Sequence, residues 1–378
     1  MKKIAIAVAA AVAAATAGAA DFTLYGIVDT GLGYTNINTL DAPTVNKFEM
    51  INGYNCGSRF GFKGTEDLGN GYAVSFVLEN GFSSDSGTLG QGGRMFGREA
   101  QVKLHTPYGT LSAGRAGTIL SGAGSLDVFG TLADTLPGGW DGIFNIGNYD
   151  GNGSRLDNMV TYQTPTAAGF TGYLQYSFAN DTTKGDDDSR ANERTNNRFA
   201  AAGLSYVNGP VNAVVIYSST MYKHDATDPS KDVGDNRAIS VGGSYDFGVL
   251  RLSAYGQYVK GARTAYTSGW GNELDFGTAI SGVVTDADGY NLHLGAKIPL
   301  PCGRLFVAGY YGKLELNDVT DNEEATNLNL MLTHEYDLSK RTIIYSGVGY
   351  RQVELEGDSK QYVEDKSTQV IVGLRHIF

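Results

Sequence analysis

The chemically useful residues in this chain are charged side chains set at every second position of alternating segments. Arg59 and Lys63 fall on the face opposite Phe60 and Phe62. Glu79 opposes Val74, Phe76 and Leu78, and Glu99 lies with Gln101, Lys103 and His105 against Ala100, Val102 and Leu104. Arg155 and Asp157 oppose Val160 and Tyr162. Fixed charges of both signs on one wetted face act through their field. They attract, repel and orient ions and dipolar solutes, most strongly where confinement weakens screening. Covalent chemistry has no comparable set. The five histidines (His105, His224, His293, His334, His376) are scattered without metal-ligand spacing. No G-x-S-x-G, P-loop or G-x-G-x-x-G in a βαβ context occurs. No catalytic, cofactor-binding or metal site is expected.

The elements that must carry these charges are β-strands. Period-two alternation runs along almost the whole chain. In one clean example Leu328, Leu330, Leu332 and Tyr336 oppose Asn327, Asn329, Thr333 and Glu335. Sixteen strands are expected, at 22–34, 54–63, 72–80, 96–105, 111–115, 155–163, 170–179, 199–206, 212–222, 238–245, 251–260, 290–298, 304–316, 327–336, 342–356 and 367–378. Short turns such as Thr106-Pro107-Tyr108-Gly109 and Asn208-Gly209-Pro210 follow the even strands, and longer polar loops follow the odd ones. An even strand number, connections sorted by parity, and Tyr and Phe near strand ends belong to a transmembrane barrel. A soluble sandwich has no reason to sort its connections this way. The fold class is therefore all-β: a 16-stranded antiparallel transmembrane β-barrel, whose lumen at that strand number is open and watery.

Composition agrees. The 378 residues include 52 Gly, 23 Tyr and 16 Phe but only 8 Pro. Residues 1–20 read as a secretory signal peptide: Lys2 and Lys3, an apolar run over 4–15, and Ala17-Gly18-Ala19-Ala20 for cleavage. Beyond it no apolar run reaches about 18 residues, so only a barrel, over 21–378, could cross a membrane. The formal charge of −11 speaks against nucleic acid. Two cysteines make no disulfide framework.

One stretch breaks the alternation. Ala116–Ser154 is Gly-rich and non-periodic, and carries Asp127, Asp134, Trp140 and Asp141. Structureless insertions of this length are uncommon and usually functional or disordered. Its Leu126, Val128, Phe129, Leu136 and Phe144 argue against simple disorder. It is expected to fold into the lumen as a long third external loop and narrow it.

Four motifs bring a family into view. Leu24-Tyr25-Gly26-Ile27-Val28-Asp29, Ser58-Arg59-Phe60-Gly61-Phe62-Lys63-Gly64-Thr65-Glu66-Asp67-Leu68-Gly69, Asp337-Leu338-Ser339-Lys340-Arg341-Thr342 and Gly373-Leu374-Arg375-His376-Ile377-Phe378 run from first strand to last. Together they resemble the general, non-specific outer-membrane porins of Gram-negative bacteria, of the neisserial and β-proteobacterial type. The resemblance implies a homotrimer in the outer membrane, among lipid and lipopolysaccharide, passing ions and small hydrophilic solutes by passive diffusion. It implies no enzyme activity and no cofactor. It also implies a constriction in which basic wall residues face acids of the third loop. Arg59 and Arg155 match the wall arginines, Glu79 a wall carboxylate and Asp127 the loop acid. Glu99, Arg115 and Asp134 complete the candidate set, Arg115 either as a pore charge or as a hinge anchor. A third wall arginine of some relatives aligns with Glu99 here, and alternation puts Arg98 on the opposite face. Phe378 matches the terminal signal read by the outer-membrane insertion machinery. The run Asp186-Asp187-Asp188 reads as a solvated loop, with cation-bridged lipopolysaccharide as its other use. The alternative function is a channel specific for sugars or carboxylates, with Tyr25, Tyr173 and Trp140 as candidates for an aromatic slide.

Overall fold

The computed structural model describes residues 21–39, 43–121, 126, 128, 155–180, 196–222, 234–262, 286–317, 323–356 and 363–378. The leader (1–20), Asp127, Asp134, Trp140, Asp141 and the run 186–188 lie outside them.

The described chain forms one antiparallel sheet closed on itself. Its segments are β1 (Asp21–Thr39), β2 (Val45–Asn52), β3 (Arg59–Gly69), β4 (Tyr72–Gly81), β5 (Glu99–Thr106), β6 (Gly109–Gly117), β7 (Arg155–Gln163), β8 (Phe170–Ser177), β9 (Arg198–Asn208), β10 (Val211–Met221), β11 (Asn236–Asp246), β12 (Arg251–Lys260), β13 (Ala287–Leu300), β14 (Gly303–Leu316), β15 (Glu323–Asp337), β16 (Thr342–Glu356) and β17 (Val363–Ile377). β2 and β3 both pair with β1, at residues 30–37 and 21–27, so they are two halves of one stave. The seventeen segments therefore make sixteen staves. Residues 27–39 of β1 pair with residues 365–377 of β17 and close the barrel.

The wall is apolar outside and polar inside. On β13, Leu294 is 67% exposed while its neighbour His293 is 3% exposed. Leu292, Leu330, Leu332, Val370, Val372 and Leu374 are likewise exposed, and Asn291, Thr333 and Arg351 buried. A water-soluble protein inverts this order, and a barrel in lipid requires it. Buried amides and hydroxyls form ladders across staves: Asn291 Nδ2 donates to Gln257 Oε1 at 3.0 Å, and Gln257 Nε2 to Ser240 Oγ at 3.0 Å. Aromatic pairs on the outer face mark both rims, Phe170–Tyr206 (4.6 Å) and Tyr245–Phe247 (4.5 Å) by the short turns, Tyr176–Phe178 (4.9 Å) toward the other end. The two ends of the barrel are thus an interface with short periplasmic turns and one with long external loops.

Two departures from the expected strands matter for the lumen. The second stave was expected to start at Tyr54. Instead β2 runs to Asn52 and residues 53–58 leave the ladder before β3 resumes at Arg59. The gap in the wall is closed by the segment after β4: Ser84 Oγ donates to Asp29 O at 2.6 Å, and Phe82 N–H to Ser58 O at 3.1 Å. The other departure is a bulge between β6 and β7, where the register slips between Gly114 and Ala116 and Asn158 takes φ 49°.

Candidate functional site

The charged face of β3–β7 gathers into one cluster on the inner wall. Glu79 on β4 and Glu99 on β5 sit directly opposite each other in the ladder. Two like charges side by side need cations, and they have them. Arg98 Nε donates to Glu79 Oε1 at 2.6 Å, while Tyr25 OH donates to Glu79 Oε2 at 3.0 Å. Glu99 accepts from Gln101 Nε2, and Lys103 Nζ stands 4.0 Å away, at i+4. Arg155 lies within electrostatic reach of Glu79 and of Arg98, Arg59 and Arg115. Lys63 lies over the Tyr25 ring at 5.4 Å.

Arg98 corrects the strand reading. Alternation put it on the lipid face, opposite in sense to Glu99. It precedes the first residue of β5, in a bend where period-two alternation does not apply, and its guanidinium turns inward to Glu79. Arg115 follows the same logic. Its place on β6 opposite Ala100 would aim it outward, but the bulge turns it. Its Nη1 donates to Asp157 Oδ1 at 2.5 Å and its Nε to Gly97 O at 2.7 Å. The other oxygen of Asp157 takes Arg94 Nη2 at 2.9 Å. These contacts join neighbouring segments of the wall. They tie the end of β6, where the third loop departs, to the start of β7, where it returns.

The described start of that loop packs inside the barrel. Ile119 is fully buried, and Leu120, Val128 and Leu126 join Ala116, Leu156 and Met159 against Phe199, Val214, Ile216 and Tyr255. Ile216 is inward because its neighbours on β10, Val215 and Tyr217, are exposed to lipid. The backbone N–H of Ile119 donates to Gln175 Oε1 at 2.8 Å. An apolar patch on a lumenal wall is a local exception to the polar interior, and it explains why loop residues carry aliphatic side chains.

Arg59, Glu79, Glu99, Arg115 and Arg155 are thus brought together. Arg94 and Arg98 join them unforeseen, and Asp157, noted only as polar-facing, is the shared partner of Arg94 and Arg115. Arg94 lies beside a short 3-10 turn (Gln91–Gly93) in the loop after β4, where no periodic signal exists. Among the described residues no group of His, Cys, Asp and Glu converges on a metal position.

A closed sixteen-stave barrel with lipid-facing leucines and a charged, polar lumen is a membrane channel by construction. Comparison with known proteins agrees. Residues 5–355 match the Gram-negative porin family. An outer membrane porin protein of Bordetella pertussis is 36% identical over all of both chains. The anion-selective porin from Comamonas acidovorans has the same fold, with a TM-score of 0.68 at 24% identity over 95% of this chain and 100% of its own. The trimer form of OmpT from Vibrio cholerae superposes with a TM-score of 0.61 at 15% identity, covering 96% of this chain and 100% of its own. The chain belongs to the Gram-negative porin family. It is an outer-membrane protein whose water-filled barrel passes ions and small hydrophilic solutes, and its relatives are channels rather than enzymes.

Proposed function

We propose that the cluster on β3–β7 is the basic half of a constriction, and that the loop 116–154 supplies the acidic half through Asp127 and Asp134. The observation that carries this is the convergence of Arg59, Arg98, Arg115 and Glu79 around Arg155, beside a loop whose first residues pack on the lumenal wall. Among the described residues of the cluster, Arg59, Arg94, Arg98, Lys103, Arg115 and Arg155 outnumber Glu79, Glu99 and Asp157, so the wall side is net positive. A positive wall facing loop acids sets a transverse field that orders water and orients dipolar solutes. The channel sorts by size and charge, and transport is passive. Of the residues that would make an aromatic slide, Tyr25 is committed to Glu79 and Tyr173 leans on the apolar patch, which favours general diffusion over a sugar-specific channel.

The remaining assignments follow the family. Residues 1–20 are a leader removed on export, the working form is a homotrimer among lipid and lipopolysaccharide, Phe378 is read by the insertion machinery, and the chain is not an enzyme. The trimer form of OmpT supports the oligomer.

The test is reversal potential across planar bilayers in a salt gradient. Arg59→Ala with Arg155→Ala shifts permeability toward cations; Asp127→Ala and Glu99→Gln shift it toward anions. All shifts shrink as salt rises, since the Debye length falls from roughly 10 Å at 0.1 M to about 3 Å at 1 M. Unchanged reversal potentials in all of these at low salt would remove the constriction from this cluster.

A further inference from the structure

Residues 53–58 leave the second stave in mid-wall, and nothing in the diffusion mechanism asks for it. The segment goes inward. Tyr54 rests on an apolar patch made by Ile51, Ala308, Met331, Tyr345 and Ile371, side chains from β2 and from β14–β17. Its hydroxyl accepts from Gln369 Nε2. Asn55 is clamped from both sides: its Nδ2 donates to Glu335 Oε1 at 2.6 Å, and its Oδ1 accepts from Arg375 Nη1 at 2.6 Å. The Cys56 N–H donates to Asp29 Oδ2 at 2.8 Å, and the other oxygen of Asp29 takes the Tyr345 hydroxyl at 2.6 Å. β1 and, across the β1–β17 seam, β14–β17 therefore hold a six-residue shelf against the lumenal wall.

The free edge of the shelf meets the charge cluster. Arg59 donates from Nε to Gly57 O at 2.9 Å and from Nη2 to Cys56 Sγ at 2.6 Å. Gly57 lies flush under the other wall arginine: a Cβ there would stand 3.2 Å from Arg98 Nη1. An arginine is a long side chain with much rotamer freedom to lose. Without a fixed contact its charge is smeared over the lumen; held at Nε and Nη2 it sits at one point of the cross-section.

We propose that residues 53–58 form a second lumenal element, a ledge that sets the charge selectivity of the pore by fixing Arg59 and Arg98. Asn55, Cys56 and Gly57 are positioning residues: Asn55 pins the ledge, and Cys56 and Gly57 present its edge to the arginines. The proposal rests on the cluster being the constriction, and the experiment separates the two.

Cys302, exposed in the turn after β13, is first replaced by Ser so that Cys56 is the sole thiol. The folded channel is then treated in the bilayer with methanethiosulfonates, whose sulfenyl sulfur is attacked by the Cys56 thiolate. The attack forms a mixed disulfide and expels methanesulfinate. A sulfonatoethyl adduct places a negative charge beside Arg59, and the anion-to-cation permeability ratio falls about twofold or more at low salt; a trimethylammonioethyl adduct raises it. Asn55→Ala, which unpins the ledge without touching the cluster's charges, lowers the ratio and increases current noise. If Asn55→Ala lowers only the thermal midpoint and leaves the reversal potential alone, the ledge is a brace and the proposal fails. It fails equally if both adducts, confirmed by mass, shift the potential alike or not at all, or if neither reagent labels Cys56. Should Asn55→Ala not assemble, the adduct arm decides on intact protein. Arg59→Ala is the control: no shift there sinks the constriction, whereas a shift there without one in the ledge arms sinks the ledge alone.

Discussion

At the residue scale, the charges of this lumen are arranged as shared carboxylates. Glu79 divides its two oxygens between Arg98 and Tyr25, and Asp157 divides its own between Arg115 and Arg94. Bonds of this kind between ions are shorter and stronger than neutral ones. Asp157 matters more for shape, because its two arginines come from the end of β6 and from the loop after β4. Replacing it by Asn leaves the size and removes the charge. We expect Asp157→Asn to lower barrel stability by on the order of 1–3 kcal/mol, the usual penalty for stripping buried charged donors of their acceptor. Brief closures in single-channel records should become more frequent, since the root of the third loop loses its tie. A thermal midpoint and a record like those of the unaltered protein would show that Arg115 and Arg94 do not depend on Asp157. Asp29 has a comparable part beside the cluster, at the ledge. It lies in the first family-like motif, and its carboxylate joins β1 to Tyr345 and to the ledge, a structural reason for an acid at that position.

At the element scale, what the alternating pattern predicts and what it hides can be told apart. All sixteen staves were legible, because each presents apolar residues to lipid and polar ones to water at a period of two. The hidden parts are those where that contrast fails. On β2 the inward Ile51 is apolar, because it serves the patch beneath the ledge, so the strand shows apolar side chains on both faces. Residues 53–58 have no period, since their partners lie up to 320 residues away in sequence. The inward turn of Arg98 and Arg115 depends on a bend and a bulge, and neither has a signature beyond a glycine. Gly114 is that glycine. It has φ 138°, and a Cβ there would lie 2.1 Å from Ala100 O. Gly114→Ala therefore strains the backbone and collides with the neighbouring stave. The expected cost is roughly 1–3 kcal/mol or more, seen as a reduced heat-modifiable folded fraction. Full assembly of the variant would mean that the bulge tolerates a side chain and does not need its glycine.

At the scale of the whole molecule, the barrel depends on one seam. β1 is the longest strand at 19 residues and holds β17 along one edge and both halves of the second stave along the other. The seam ends at Gly26 and Phe378, which exchange both backbone hydrogen bonds, at 3.1 and 3.0 Å. The Phe378 ring then lies across Gly26 on the outer face, where a Cβ on residue 26 would stand 2.2 Å from the ring's Cζ. Phe378 is 46% exposed, so on closure its ring covers the seam and still faces lipid. Removing Phe378 deletes the last rung together with the ring. Gly26→Ala keeps the rung and evicts the ring. If the terminal residue acts in assembly through this contact, both changes lower the amount of folded barrel in the outer-membrane fraction while leaving synthesis unchanged. The double variant is then no worse than the more severe single one, because the two changes remove the same interaction. Losses that add in full would assign Phe378 a task separate from the seam. A normal yield for Gly26→Ala beside a depleted one for the deletion would leave the residue needed in assembly for its place at the terminus, independent of the ring's contact with Gly26.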